Sequence, residues 1–400
     1  MSFLIPATGA KRGTPFGRDP PVPAPSSLPH ARELPHSAPQ RPLTGAMLPR
    51  VQSSLSALRS NLLVKLGEVT GETYTLPIVL FAPTSRCNSR CVSCDWWRSD
   101  GKSDLTLEEI RRIADVLPEF GVRLVVLSGG EPLLRQDVME IADLFRARGL
   151  RLHLLTSGLA LSRYAEAIAE RFESVVVSLD GHTPQLYEQI RGVDGLAAIE
   201  AGVRKLRTLA PRMPIAARST IHRHNFRHLA ELITKSHQIG FTHISFLTAD
   251  VSSDSFGRRE SLPLMQEGAT RLILSASEID EFQQVIEETL RVHSDAFANG
   301  TAAPAPERLR RFAEYYRAHL RQAPFPLVDC NAPWTSVLIE ADGNVRPCFF
   351  HPAVGNLRQR PLADLLKVAM PAFRRTLDVA TNATCQRCVC TLKVGLRSRI

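Results

Sequence analysis

At 400 residues, with 44% hydrophobic and 22% charged positions, the chain has the make-up of a globular protein with one large domain and a smaller appendage. No apolar run approaches the ~20 residues that span a bilayer, and the opening MSFLIPATGAKR lacks the apolar core of a secretory signal, so a cytoplasmic location is expected. The net charge of +9 is modest and its arginines form no dense patch with interleaved aromatics, which argues against nucleic acid as a partner.

Residues 1–50 hold eleven of the 28 prolines and are predicted to be a disordered tail, and a short helical prelude fills 51–76. Between 77 and 250, apolar strands alternate with amphipathic helices. The predicted strands are Ile78–Ala82, Arg123–Leu127, Arg151–Thr156, Ser174–Leu179, Ile215–Ile221 and His243–Leu247. Helical periodicity marks Leu107–Leu117, Gln136–Arg148, Arg163–Arg171, Leu196–Leu209 and Phe226–Gln238; Ile110, Ile113, Ala114 and Leu117, for example, share a face. This order argues for parallel βα units, which an open six-unit barrel and a doubly wound sheet satisfy equally. Either places its chemistry in loops after the strands. A helical linker region, 251–324, follows, with helices at Glu278–Arg291 and Glu307–Leu320 joined by the linker Asn299–Pro306. The last region, 325–400, has two strands, Trp334–Glu340 and Asn344–Phe350, around an Ala341-Asp342-Gly343-Asn344 turn, then a helix at Leu362–Leu377.

The eight cysteines form two groups, 87–94 and 330–390, with none in between, a distribution that suggests two metal sites rather than disulfides. Cys87, Cys91 and Cys94 have the spacing C-x3-C-x2-C on the loop after the first strand. Three thiolates there can ligate three irons of a cubane and leave the fourth open. A structural zinc site wants a fourth protein ligand, and no nearby residue supplies one. After the second strand comes Ser128-Gly129-Gly130-Glu131-Pro132. Its glycines permit close approach to a ligand, and Glu131 is an acceptor for a cationic amino group.

The triad after strand one, GGEP after strand two and the βα alternation resemble the radical S-adenosylmethionine (SAM) superfamily over about residues 77–250. The resemblance implies a partial (β/α)6 TIM-like barrel in which Cys87, Cys91 and Cys94 hold a [4Fe–4S] cluster whose open iron is chelated by SAM. It further implies that Gly129, Gly130 and Glu131 meet the SAM amino group, and that Ser178 and Asp180 contact the ribose. Arg191 and Arg218 are expected partners of the SAM carboxylate, with a structural salt bridge as the alternative for each. The chain departs from the family at Ser93, where an aromatic residue is usual, and at Thr156-Ser157-Gly158. Trp96 or Trp97 could cover the adenine in place of that aromatic, core packing being the commoner use. The implied activity is reductive cleavage of SAM to a 5′-deoxyadenosyl radical that abstracts hydrogen. A reductant such as flavodoxin or ferredoxin would be its partner. His222, His224 and His228 are expected at the surface, and none is assigned as a base.

Cys330-x12-Gly343-x4-Cys348, then Cys385-x2-Cys388-x-Cys390, resembles the C-terminal SPASM/Twitch auxiliary-cluster domain, with five cysteines where a full SPASM domain carries seven. The resemblance implies a single second [4Fe–4S] cluster on Cys330, Cys348, Cys385 and Cys388, with Cys390 able to replace Cys388. Four thiolates also suit zinc. A fully ligated second cluster points to electron transfer and hence to a net oxidation of a small molecule, sugar, peptide or protein side chain. Two other function classes fit less: a non-catalytic iron–sulfur carrier, and a zinc-stabilised binding protein.

Overall fold

The computed structural model describes residues 48–258, 271–396 and 398. The predicted Pro-rich tail lies outside them except for its last three residues, which open helix α1 (Leu48–Thr70). Six parallel strands follow: β1 (Ile78–Phe81), β2 (Leu124–Leu127), β3 (Arg151–Thr156), β4 (Ser174–Ser178), β5 (Ile215–Ile221) and β6 (His243–Thr248). β1 and β2 are wholly apolar and buried on both faces, as a covered parallel sheet requires.

The strands lie side by side in chain order, and each pairs in parallel with the next. Their connecting helices are α2 (Leu107–Val116), α3 (Val138–Arg146), α4 (Leu161–Arg171), α5 (Pro184–Arg191), α6 (Leu196–Leu209) and α7 (Leu229–Ile239). Alternate strand residues such as Val79, Phe81, Val125 and Leu127 pack with these helices in one large core. Their neighbours Ile78, Leu80, Leu124 and Val126 belong to a separate inner cluster. Sequential order with one helix-covered face is barrel winding, since a doubly wound sheet reverses its order and carries helices on both faces. The barrel is open, its sheet ending at Ala302–Ala303 on one side and Gly355–Asn356 on the other.

Three expectations change. The predicted linker 299–306 contains a two-residue strand, β7 (Ala302–Ala303), that extends the sheet beyond β6. The predicted strand Trp334–Glu340 begins two residues later. Ala332–Thr335 is a helical turn, because Pro333 has no N–H for a ladder and suits a first turn. The hairpin of β8 (Ser336–Ile339) and β9 (Asn344–Arg346) also does not stand apart from the barrel. β8 pairs in parallel with β1, Ile78 opposite Ser336 and Phe81 opposite Ile339, and β10 (Gly355–Asn356) adds to β9. The C-terminal segment thereby covers the inner face of β1 and β2, where Ala332, Leu338, Leu392 and Val394 complete the inner cluster.

Two polar devices fix this closure. Arg346, 2% exposed, donates to Glu340 at 2.9 Å and to Asp254 at 3.2 Å, tying β9 to the segment after β6. Glu109 closes a capping box on Thr106 at the start of α2 and also accepts from Arg358 at 2.8 Å. Outside the barrel, α8 (Ala276–Val292) starts with a second capping box, Ser275 with Glu278, and packs beside α9 (Pro306–His319).

Candidate cluster and cofactor sites

The loop after β1 carries Cys87, Cys91 and Cys94 and is fastened on two sides. Asp104 accepts from the Thr84 hydroxyl at 2.5 Å, the Ser85 amide at 3.0 Å and the Ser85 hydroxyl at 2.7 Å. Farther along, the amides of Arg90 and Val92 donate to the carbonyls of Arg191 and Ile190, at 2.7 and 3.0 Å, at the end of α5. Both fastenings use backbone or short polar groups. The three thiols line one cleft of about 210 Å³. Burial pushes the Cys87 thiol up to about 11 and raises Cys91 and Cys94 as well. Buried thiols that resist ionisation alone become thiolates when a cationic metal group binds them.

The two glycines after β2 serve the loop more than the ligand. Gly129 has φ +100, and a Cβ there would lie 2.6 Å from that of Ala82. A Cβ on Gly130 would lie 2.1 Å from the Arg86 carbonyl oxygen. Their absent side chains let the β2 loop lie against the β1 loop, with the Gly130 amide donating to Thr84 at 3.1 Å. Both glycines also line the cleft. Glu131 does not. Fully buried, it accepts from the Leu133 amide at 3.0 Å, the Thr156 hydroxyl at 2.8 Å and the Ser157 amide at 2.5 Å. It therefore joins the ends of β2 and β3, although burial raises its pKa.

The other expected cofactor contacts divide in the same way. Ser178 and Arg191 line the cleft. Asp180 stands behind them, accepting from the Thr220 amide at 2.7 Å and from Arg191 at 3.0 Å. Burial opposes the charge on Arg191, yet Cys91, Tyr187 and Asp180 hold its pKa well above the usual range. Its Nε is a buried donor with no partner among the described residues. An anionic group in the cleft would satisfy it, so the residues present fit an iron–sulfur cluster and a carboxylate-bearing cofactor. Arg218 is absent from the cleft lining; its Nε donates to the Ser245 hydroxyl at 3.1 Å, and Cys390 is the charge it feels most. Trp96 lines the cleft rather than the core, while Trp97 donates to the Cys94 carbonyl at 2.9 Å. His222 is completely buried, contrary to the surface position expected of it, and its Nδ1 accepts the His224 amide at 3.2 Å.

Cys330, Cys348, Cys385, Cys388 and Cys390 line a second, apolar cavity of about 40 Å³ next to the inner cluster. Burial is the largest influence on each thiol, raising Cys348 to about 11 and Cys385 to about 12. Mutual repulsion adds to it, since Cys330 and Cys348 act on each of the last three. Clustered, desolvated thiols of this kind also fit a cationic metal group. Among the described residues no three His, Cys, Asp or Glu side chains converge on one point as a single metal ion would have them. His351 was not anticipated; its Nε2 lies 3.2 Å from the Cys385 sulfur, and only its place three residues after Cys348 could have hinted at this. Cys390 lines both cavities and so forms part of the wall between them.

The family model for the radical SAM superfamily matches residues 81–248, and that for an iron-sulfur cluster-binding domain, SPASM, matches residues 330–389. The chain is 36% identical over 125 residues to a probable GTP 3′,8-cyclase of Thermococcus kodakarensis, covering 30% of this chain and 41% of that one. It is 30% identical over 156 residues to an Fe-coproporphyrin III synthase of Methanosarcina barkeri, covering 38% of each. It thus spans about two-fifths of the length of these curated relatives. In fold it is similar to Streptococcus suis SuiB bound to precursor peptide SuiA, with a TM-score of 0.57 and 13% identity over 89% of this chain and 79% of that one. It also resembles anSMEcpe with bound AdoMet, with a TM-score of 0.54 and 16% identity over 76% of this chain and 84% of that one. No described helix is long and apolar enough to cross a membrane.

Proposed function

We propose that this chain, a radical SAM enzyme that uses a [4Fe–4S] cluster, SAM and an auxiliary cluster in a C-terminal SPASM domain, carries out a net oxidation of a small molecule. Cys87, Cys91 and Cys94 hold the first cluster, and Cys330, Cys348, Cys385 and Cys388 the second. Bound in the cleft, the first cluster with SAM supplies a 5′-deoxyadenosyl radical able to take hydrogen from an unactivated carbon. The chain's own residues orient that chemistry. Arg191, steadied by Asp180, offers its free Nε to the SAM carboxylate. Gly129, Gly130 and Ser178 shape the wall that the rest of the cofactor meets, and Trp96 lines the same cleft. Glu131 acts at one remove, holding the β2 and β3 loops in register.

The observation that carries the reading is the single cleft shared by three buried thiols and an arginine with an unsatisfied donor. Cys390 lines both cavities, and electron transfer between the clusters that they would hold is part of this reading. That adjacency supports an oxidation whose electron leaves through the auxiliary site. A low-potential one-electron donor, a flavodoxin or ferredoxin, is the partner this requires. The division into a barrel at 77–250 and a cluster unit at 325–400 is one of function, since β8 joins the barrel's sheet.

The test is 5′-deoxyadenosine formation by anaerobically reconstituted, reduced protein given SAM, beside Cys94→Ala. Product from the wild type alone is expected. A wild type that holds both clusters, binds SAM and never cleaves it, with or without cell extract, would overturn the proposal.

A further inference from the structure

Residues 250–258, which follow β6, reach the surroundings of both cysteine sites, and Phe256 among them lines the cleft. We propose that Phe256 is a positioning residue: it seats the Cys94 end of the first loop against the C-terminal unit and keeps that side of the first cluster dry, which holds its potential low. This goes beyond the proposed function and rests on its assignment of Cys87, Cys91 and Cys94 to that cluster.

The backbone is the first argument. Phe256 has φ +60, a left-handed conformation that a bulky residue rarely adopts and that persists where the surroundings impose it. The turn aims the Phe256 carbonyl at the first loop, where it accepts from the Asp95 amide at 2.9 Å and stands 3.5 Å from the Cys94 sulfur. Gly257, φ +78, permits the approach, since a Cβ there would lie 2.8 Å from the Trp96 nitrogen. The fastenings at Asp104 and α5 act on residues 84–92, before Cys94. The turn at 256–257 holds the chain just after it.

The ring is the second argument. It stacks on Phe349, with centroids 5.9 Å and planes 16° apart, and meets Phe350 edge-on at 6.1 Å. These two residues directly follow Cys348, and Phe350 lines both cavities. The segment is tied to the C-terminal unit twice more: the Ser255 hydroxyl donates to the Phe349 carbonyl, and Arg346 donates to Asp254 at 3.2 Å. Its ends are closed on each other by the buried pair of Asp250 and Arg258 at 2.6 Å, with the Arg258 guanidinium 5.2 Å from the centre of the Phe256 ring. An aromatic ring in the cleft that holds the three sulfurs displaces water. Water stabilises the more negative, reduced state of a cluster, so excluding it lowers the potential.

The test is an anaerobic redox titration of the reconstituted protein without SAM, followed by EPR; the signal absent from Cys91→Ser identifies the first cluster. Phe256→Gly suits the left-handed backbone and removes the ring alone. It should keep the iron of both sites and shift the first cluster's reduction equilibrium at least about threefold toward the reduced form, the second moving by less than about twofold. Phe256→Tyr, which keeps the ring, should match the wild type. Ser255→Ala loosens the segment without touching the ring and should shift the first cluster in the same direction, so the test stands even where Phe256→Gly loses iron. An unmoved first cluster in both variants, an equal shift of the second, or iron lost from both sites overturns the proposal. No SAM turnover is read, so a wild type that never cleaves SAM sinks the proposed function and leaves this result standing.

Discussion

The two groups of cysteines reach their sites by opposite routes. Cys87, Cys91 and Cys94 occupy one short loop, held by local hydrogen bonds to Asp104 and to the end of α5. Cys330, Cys348 and the 385–390 segment come from three separate stretches, and they meet only because β8 pairs with β1 and the last residues pack on the inner face of the barrel. The first set thus depends on loop geometry and the second on tertiary closure. They should fail differently when disturbed.

The largest difference is expected from the thiols themselves. Cys91→Ser should remove about four irons and all 5′-deoxyadenosine formation, whereas Cys348→Ser should lose a similar amount of iron yet still cleave SAM. Iron analysis and product assay on both variants check this, and loss of cleavage in Cys348→Ser would mean that the two sites are not separable. Gly130→Ala comes next. Its methyl would meet the Arg86 carbonyl, so the loop must shift; a loss of about 2–3 kcal/mol in unfolding free energy is expected, with iron lost from the first site only.

Arg191→Gln should weaken SAM binding by roughly 1.5–3 kcal/mol, the usual worth of a hydrogen bond to a charged group, without changing iron content. Equilibrium dialysis with labelled SAM measures it. A pH series addresses the barrel between the two sites. Burial holds the pKa of His222 down to about 3, so the unfolded chain binds a proton below about pH 6.5 that the folded chain refuses. Stability should fall by about 2 kcal/mol from pH 7 to pH 5 on this account, and His222→Gln should flatten that slope. The smallest effect concerns the second site alone. If His351 donates to the Cys385 sulfur, His351→Leu should lower the potential of that cluster by some tens of millivolts in an EPR titration, leaving the first unmoved.

The parallel strands and their helices were legible along the chain, because burial on both faces leaves uninterrupted apolar runs and a single covered face leaves a 3.6-residue period. Strands β3 and β5 and helix α6 coincide with their predicted spans. The positions of the cysteines were legible too, since ligand spacing within a loop is a local property. Side-chain direction was not. Gly129 and Gly130 are packed against residues 82–86, Glu131 and Asp180 face protein donors, Arg218 lies toward Cys390, and Trp96 lies in the cleft. Each follows from which strand end stands opposite, a relation between residues tens to hundreds of positions apart. By itself, then, the sequence determined the kind of chemistry and the alternation of parallel strands with helices, both encoded in short-range spacing and periodicity, while the choice of a barrel over a doubly wound sheet came from the strand order. Only the tertiary structure decided which side chains face the cleft and that the C-terminal hairpin joins the sheet, because those depend on long-range pairing that no local pattern records.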